Sequence, residues 1–94
     1  LDGLWCDMNE PALFRTPTKT LSPRAQHRGS PQGSHGRFHN LYGQWMAEAT
    51  RQGALAARPG ERPFVLTRAG HLGAARFAAT WTGDNQARWE DLGW

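Results

Sequence analysis

The sequence predicts an α/β fold built on a parallel sheet, and three observations carry that expectation. Short apolar runs at 3–6, 64–67 and 78–82 have the length and residue content of buried strands. A longer stretch between the first two carries apolar residues at helical spacing. The order that results, strand, loop, helix, strand, connector, strand, is that of a parallel α/β sheet.

Each element has its own signal. Gly3 to Cys6 is a brief apolar run that ends at Asp7; it suits a buried strand, although its brevity leaves a helix possible, and Pro11 discourages continuation. Residues 15–37 are rich in Pro, Gly, Ser, Thr and Gln without periodicity and read as a long loop, of the kind that is functional or disordered in compact domains. From His39 to Gln52, Leu41, Trp45 and Ala49 recur at four-residue steps with Tyr42 and Met46 one position on, which defines an apolar helical face. His39 is expected to anchor the start of that helix. Gly53 is expected just past its end, where a left-handed conformation costs glycine little. The turn Arg58-Pro59-Gly60-Glu61 leads into the strand Phe64-Val65-Leu66-Thr67. Ala78 to Thr82 is the third strand, and Gln86 to Leu92 could start another helix. The sequence shows no internal repeat and no domain boundary within 1–94.

Composition narrows the functional classes. Ninety-four residues suit one small unit, burying roughly 60–65% of its unfolded surface. No apolar stretch approaches a membrane span, and no basic-then-apolar leader opens the chain. Cys6 is the only cysteine, so no internal disulfide can form, and its apolar setting suits a small packed side chain. The net charge is +3, with no acidic residue from Pro11 to Ala47, where Arg15, Lys19, Arg24, Arg28 and Arg37 fall. These cations are scattered among Pro, Gly and Ser with no helical stripe, so the tract reads as a solvated loop and no nucleic-acid partner is expected. No Cys-x-x-Cys pair is present, no phosphate-binding glycine loop is present, and no Gly-x-Ser-x-Gly elbow supports a serine nucleophile. Neither a metal nor a cofactor is expected.

Two acidic motifs remain: Trp5-Cys6-Asp7-Met8-Asn9-Glu10 and Trp81-Thr82-Gly83-Asp84-Asn85, each placing a carboxylate just after an apolar run. By themselves, two such carboxylates could be ordinary surface groups. Three ordered blocks decide otherwise. Leu1 to Pro11, His39-Asn40-Leu41-Tyr42-Gly43, and Arg62 through Asn85 with Arg68 sixteen positions before Asp84 closely resemble glycoside hydrolase family 31, over nearly the whole chain.

The resemblance implies part of a (β/α)8 barrel, here roughly three strands with a connecting helix and a long loop. A complete barrel needs about 250 residues, so an internal fragment of the catalytic domain is expected. In such barrels the chemistry lies at the C-terminal ends of the strands, and Asp7, Arg68 and Asp84 each fall one or two positions beyond one. The resemblance further implies retaining hydrolysis, with Asp7 matching the nucleophile and Asp84 the general acid/base, whose environments should push their pKa values apart. Arg68 matches an arginine that contacts the sugar; Trp5, Met8 and Trp81 match positions lining the same subsite. Glu10 and Asn85 resemble polar groups that orient the carboxylates. An oligosaccharide is the implied partner. The blocks Pro11–Phe14 and Thr16–Thr20 are most similar to bacterial α-glucosidases, which favours α-linked glucose at a non-reducing end over the xylosides or sulfoquinovosides of other relatives. Departures fall at Cys6, at Ser30–Phe38 and at His71–Phe77, near the mouth, where they bear on fine specificity.

Overall fold

A computed structural model describes residues 2–93. Three strands, β1 (Leu4–Cys6), β4 (Val65–Thr67) and β5 (Ala79–Thr80), form one sheet in the order β1-β4-β5. Both pairings are parallel, with Trp5 opposite Leu66 and Leu66 opposite Ala79. The ladder continues past β4, where the Arg68 N–H donates to the Cys6 carbonyl at 3.0 Å. A separate antiparallel ribbon pairs β2 (Gln26–His27) with β3 (Gly33–Ser34). It lies within the stretch expected to be structureless loop. The third strand is shorter than 78–82, and the region after it holds a 3-10 turn over Trp89–Gly93 instead of the start of an α-helix.

The helix α1 runs from His35 to Ala57, longer than expected at both ends. Its start is displaced because the preceding loop caps it. The His35 N–H donates to Ala25 O at 2.7 Å and the Gly36 N–H to Pro23 O at 2.9 Å, satisfying donors that a helix N-terminus leaves unpaired. His39 therefore lies in the second turn. At the other end Gly53 lies inside the helix, because Ala54, Leu55, Ala56 and Ala57 are favourable helix formers that outweigh the cost of one glycine. Termination comes at Arg58, which adopts φ −137°, ψ 77°; the α conformation is disfavoured there by Pro59.

One face of the sheet packs on this helix. Cys6, Ala47, Val65 and Ala78 form the buried core, with Met46 and Phe77 against it. Burying a valine such as Val65 contributes about 1.5–3 kcal/mol. The helix presents His35, Phe38, Gly43 and Ala47 as its buried residues, while Ala49 is exposed. The buried stripe is thus rotated from the one expected through Leu41, Trp45 and Ala49. Small side chains decide this: a Cβ on Gly43 would stand 2.5 Å from the Ala69 Cβ and 2.8 Å from its carbonyl oxygen. Only glycine lets the helix approach the backbone that follows β4. Cys6 is buried, and its Sγ lies 3.4 Å from Thr50 Oγ1, consistent with a packed side chain.

Candidate active site

The ends of β1 and β4 place Asp7 and Arg68 side by side because the parallel register sets Cys6 against Thr67. Immediately after Asp7 the chain turns sharply, with Met8 at φ 57°. That left-handed conformation costs a non-glycine residue about 1–2 kcal/mol. The turn lets the Met8 N–H donate to Asp7 Oδ1 at 2.9 Å and directs Asn9 inward and Glu10 toward Arg68.

Arg68 is the hub. Its Nε donates to Glu10 Oε1 and its Nη2 to Glu10 Oε2, both at 2.8 Å, a bidentate pair of the strong charge-assisted kind. Nε also lies 3.3 Å from Asp7 Oδ1, and Nη1 lies 3.9 Å from Asp84 Oδ2. One guanidinium therefore gathers three carboxylates contributed by two motifs far apart in sequence. The Arg68 hydrogen bonds hold the Glu10 carboxyl below the usual carboxylate range, against the opposing effect of its partial burial. The same bonds raise the Arg68 pKa further above its already high value. A guanidinium carries five N–H donors, and Glu10 takes two, which leaves both N–H groups of Nη1 and one of Nη2 for other acceptors.

The aromatic residues stand beside this cluster. Trp5 is 65% exposed and meets Trp81 edge to face, with ring centroids 5.7 Å apart. Met8 is half-buried. Asp84 is the outlying member, its side chain 86% exposed, on the stretch beyond β5. Asn85 Oδ1 accepts a hydrogen bond from Thr82 Oγ1 at 3.5 Å. Two cavities border Arg68. One of about 320 Å³ is lined by Glu10, His39, Gly43 and Gly70 among others; another of about 520 Å³ is lined by Gly70, Leu72, Thr80 and Trp81 among others.

Two features escaped the sequence reading. Asn9 is 1% exposed and ties the site together: its Oδ1 accepts from the Ala69 N–H at 2.9 Å, and its Nδ2 donates to Thr67 Oγ1 at 2.8 Å and, at 3.5 Å, to the carbonyl of Gly43. The available signal was position, an amide between Asp7 and Glu10 immediately after a buried strand. The second is a line of imidazoles, with His27 Nε2 3.0 Å from His35 Nδ1 and His35 Nε2 2.9 Å from His39 Nδ1. The signal available was the His35-x-x-x-His39 spacing, which sets two imidazoles on one face of α1; the third member comes from β2, which the sequence does not announce. Among the described residues no group of three or more His, Cys, Asp or Glu is arranged to hold a metal ion.

The carboxylates and the guanidinium gather at the C-terminal edge of a parallel sheet, the edge at which enzymes of the α/β-barrel class carry their chemistry. The sequence profile of the Glycosyl hydrolases family 31 TIM-barrel domain matches residues 1–94, and the chain belongs to that family. It is 48% identical over 94 residues to Alpha-glucosidase 2 of Bacillus thermoamyloliquefaciens, covering 98% of this chain and 12% of that one. It is 46% identical over 90 residues to human Neutral alpha-glucosidase C, covering 95% of this chain and 10% of that protein. Among solved structures, the Family 31 alpha-glucosidase from Bacteroides thetaiotaomicron superposes with a TM-score of 0.76 at 46% identity, covering 98% of this chain and 13% of that one. The ER glucosidase II heterodimeric complex superposes at 0.83 with 44% identity, covering 96% and 10%. The chain thus spans about a tenth of the length of the relatives it matches.

Proposed function

We propose that this chain supplies three adjacent strands and the catalytic carboxylates of a barrel that hydrolyses terminal non-reducing α-linked glucose with retention. Residues 1–94 act as one undivided piece of that barrel, within a longer chain. The observation that carries this reading is the convergence of Asp7, Glu10 and Asp84 on Arg68 at the C-terminal edge of the sheet. The names of the relatives, all α-glucosidases, supply the substrate class.

In this mechanism Asp7 is ionised and attacks the anomeric carbon, and the bond to the leaving oxygen breaks as Asp84 delivers its proton to that oxygen. A water then attacks the glycosyl intermediate while Asp84 takes the water's proton, and the ester bond to Asp7 breaks to return both groups to their starting states. Retaining enzymes hold the two carboxyls about 5–5.5 Å apart. Arg68 holds the Asp7 carboxylate in place through the 3.3 Å contact, while Glu10, absorbing two of its donors, fixes the guanidinium plane. The free N–H groups on Nη1 and Nη2 can then donate to sugar hydroxyls. The exposed ring of Trp5, braced by Trp81, offers an apolar face to a pyranose, and Met8 borders it. No cofactor enters this scheme.

Removal of Asp84 separates the two steps. In the full-length enzyme, Asp84→Ala loses most activity on α-glucosides with poor leaving groups and recovers part of it on an activated aryl α-glucoside. Equal loss on both substrates contradicts the assignment.

A further inference from the structure

The imidazole line through His35 ends beside the Glu10–Arg68 pair, and hydrogen-bond accounting gives it a direction. A neutral imidazole has one N–H, so His35, with both nitrogens engaged, donates through one and accepts through the other. If Nε2 of His35 donates to Nδ1 of His39, the proton of His39 sits on Nε2; if the line runs the other way, that Nε2 is bare. Nδ1 of His39 is occupied by His35, so Nε2 is the nitrogen left for the cavity that His39 shares with Glu10 and Arg68. Glu10 is the anion of that cavity, and an Nε2–H on His39 would serve its carboxylate where a bare Nε2 would not. The favoured order is therefore His27 Nε2–H to His35, His35 Nε2–H to His39, and His39 Nε2–H toward the cavity.

We propose that His27, His35 and His39 form a directional tautomer relay that makes His39 a positioning residue for the Glu10–Arg68 pair, and through it for Asp7 and Asp84. Its catalytic consequence rests on the hydrolase reading above. His35 is the fixed centre, 1% exposed, with its ring stacked on His27 and edge-on to His39 and Tyr42. His27, on the ribbon, is half-buried. An added proton on His35 would set N–H against N–H and break the line. The ionisable groups around it are His27 on the ribbon, His39 and Tyr42 on the helix, and Glu10 with Arg68 at the far end. Burial, reinforced by the two neighbouring imidazoles, holds the His35 pKa below its ordinary value, which agrees with a neutral centre.

The test uses the full-length enzyme. Glutamine can place an N–H near the position of an imidazole Nε2, whereas leucine cannot, so His39→Gln should retain most of kcat/KM while His39→Leu loses about tenfold or more, the scale of a displaced catalytic group. Equal values for wild type, Gln and Leu variants, or equal loss in Gln and Leu alike, overturn the proposal. The unsubstituted protein with ¹⁵N-labelled histidine gives a second readout that needs neither turnover nor a foldable variant: His35 and His39 protonated on Nε2 support the relay, and protonation on Nδ1 overturns it. If Asp7→Asn leaves turnover intact, the hydrolase reading fails while this tautomer measurement still decides the relay.

Discussion

Asn9 carries more of the site's geometry than its size suggests, because each of its amide atoms holds a different element. With Asn9→Ala the Ala69 N–H loses its acceptor and Thr67 loses a donor, in a place water does not reach. The expected cost is about 1–3 kcal/mol, read in the full-length enzyme as a drop in the denaturant midpoint, with reduced turnover because Ala69 follows Arg68 directly. An unchanged midpoint contradicts this. His35 makes a separate prediction in pH. Its folded-state pKa is depressed, so as pH falls the unfolded chain takes up the proton first. The stability it contributes is complete above the ordinary histidine value of about 6.5 and is lost as pH falls from there through the lower folded value. Glu10, also depressed, adds stability above the ordinary glutamate range that is lost at still lower pH. Unfolding midpoints of the full-length enzyme from pH 8 to about 3 should therefore decline in two stages, and His35→Phe should remove the upper one. At this scale the sequence yielded Asp7, Arg68 and Asp84 through their flanking motifs. It concealed the Asn9 contacts and the place of His27, because a polar side chain's partners depend on which distant segment the fold brings past it, whereas the His35–His39 pair was open to a reading of helical spacing.

At the scale of elements, the helix shows what periodicity reveals and where it stops. Its existence was legible from the apolar spacing, but its ends were set by loop carbonyls at one side and by Pro59 at the other, and its buried face was set by the close approach at Gly43. Two glycines on the same helix should consequently respond in opposite ways. Gly53 has open space where a Cβ would stand, so Gly53→Ala should stabilise by about 0.5–1 kcal/mol, seen as a higher thermal midpoint of the full-length enzyme. Gly43→Ala forces a methyl group against Ala69, and should destabilise by about 1–3 kcal/mol while shifting Arg68 and lowering activity. Equal effects of the two substitutions would mean that the helix does not pack as described. The β2–β3 ribbon was illegible because two-residue strands leave no periodic trace in a Pro- and Gly-rich tract.

Across the whole molecule, the described residues form a slab of 43 × 42 × 24 Å with a radius of gyration of 15.0 Å. A compact chain of this length would have about 12 Å. The helix covers one face of the sheet, while the row Trp5, Leu66 and Ala79 lies on the other. Trp5, Phe64 and Leu72 are exposed. Open strand edges and uncovered apolar surface of this kind favour association. The 94-residue chain prepared alone should therefore bind a hydrophobic dye and unfold without a cooperative transition; a sharp, two-state transition would contradict that. The parallel order was legible because sheet winding follows from element order. The flatness was not, since it depends on surfaces that other strands and helices of a barrel would cover.

The central claim is that Asp7 forms the bond to the sugar. It is tested most directly by treating the full-length enzyme with a fluorinated α-glucosyl fluoride, which accumulates the glycosyl intermediate, and locating the adduct by peptide mass spectrometry. The account predicts a single glycosyl ester on Asp7, absent from Asp7→Asn. An adduct on another carboxylate, or turnover by Asp7→Asn at the wild-type rate, would contradict it.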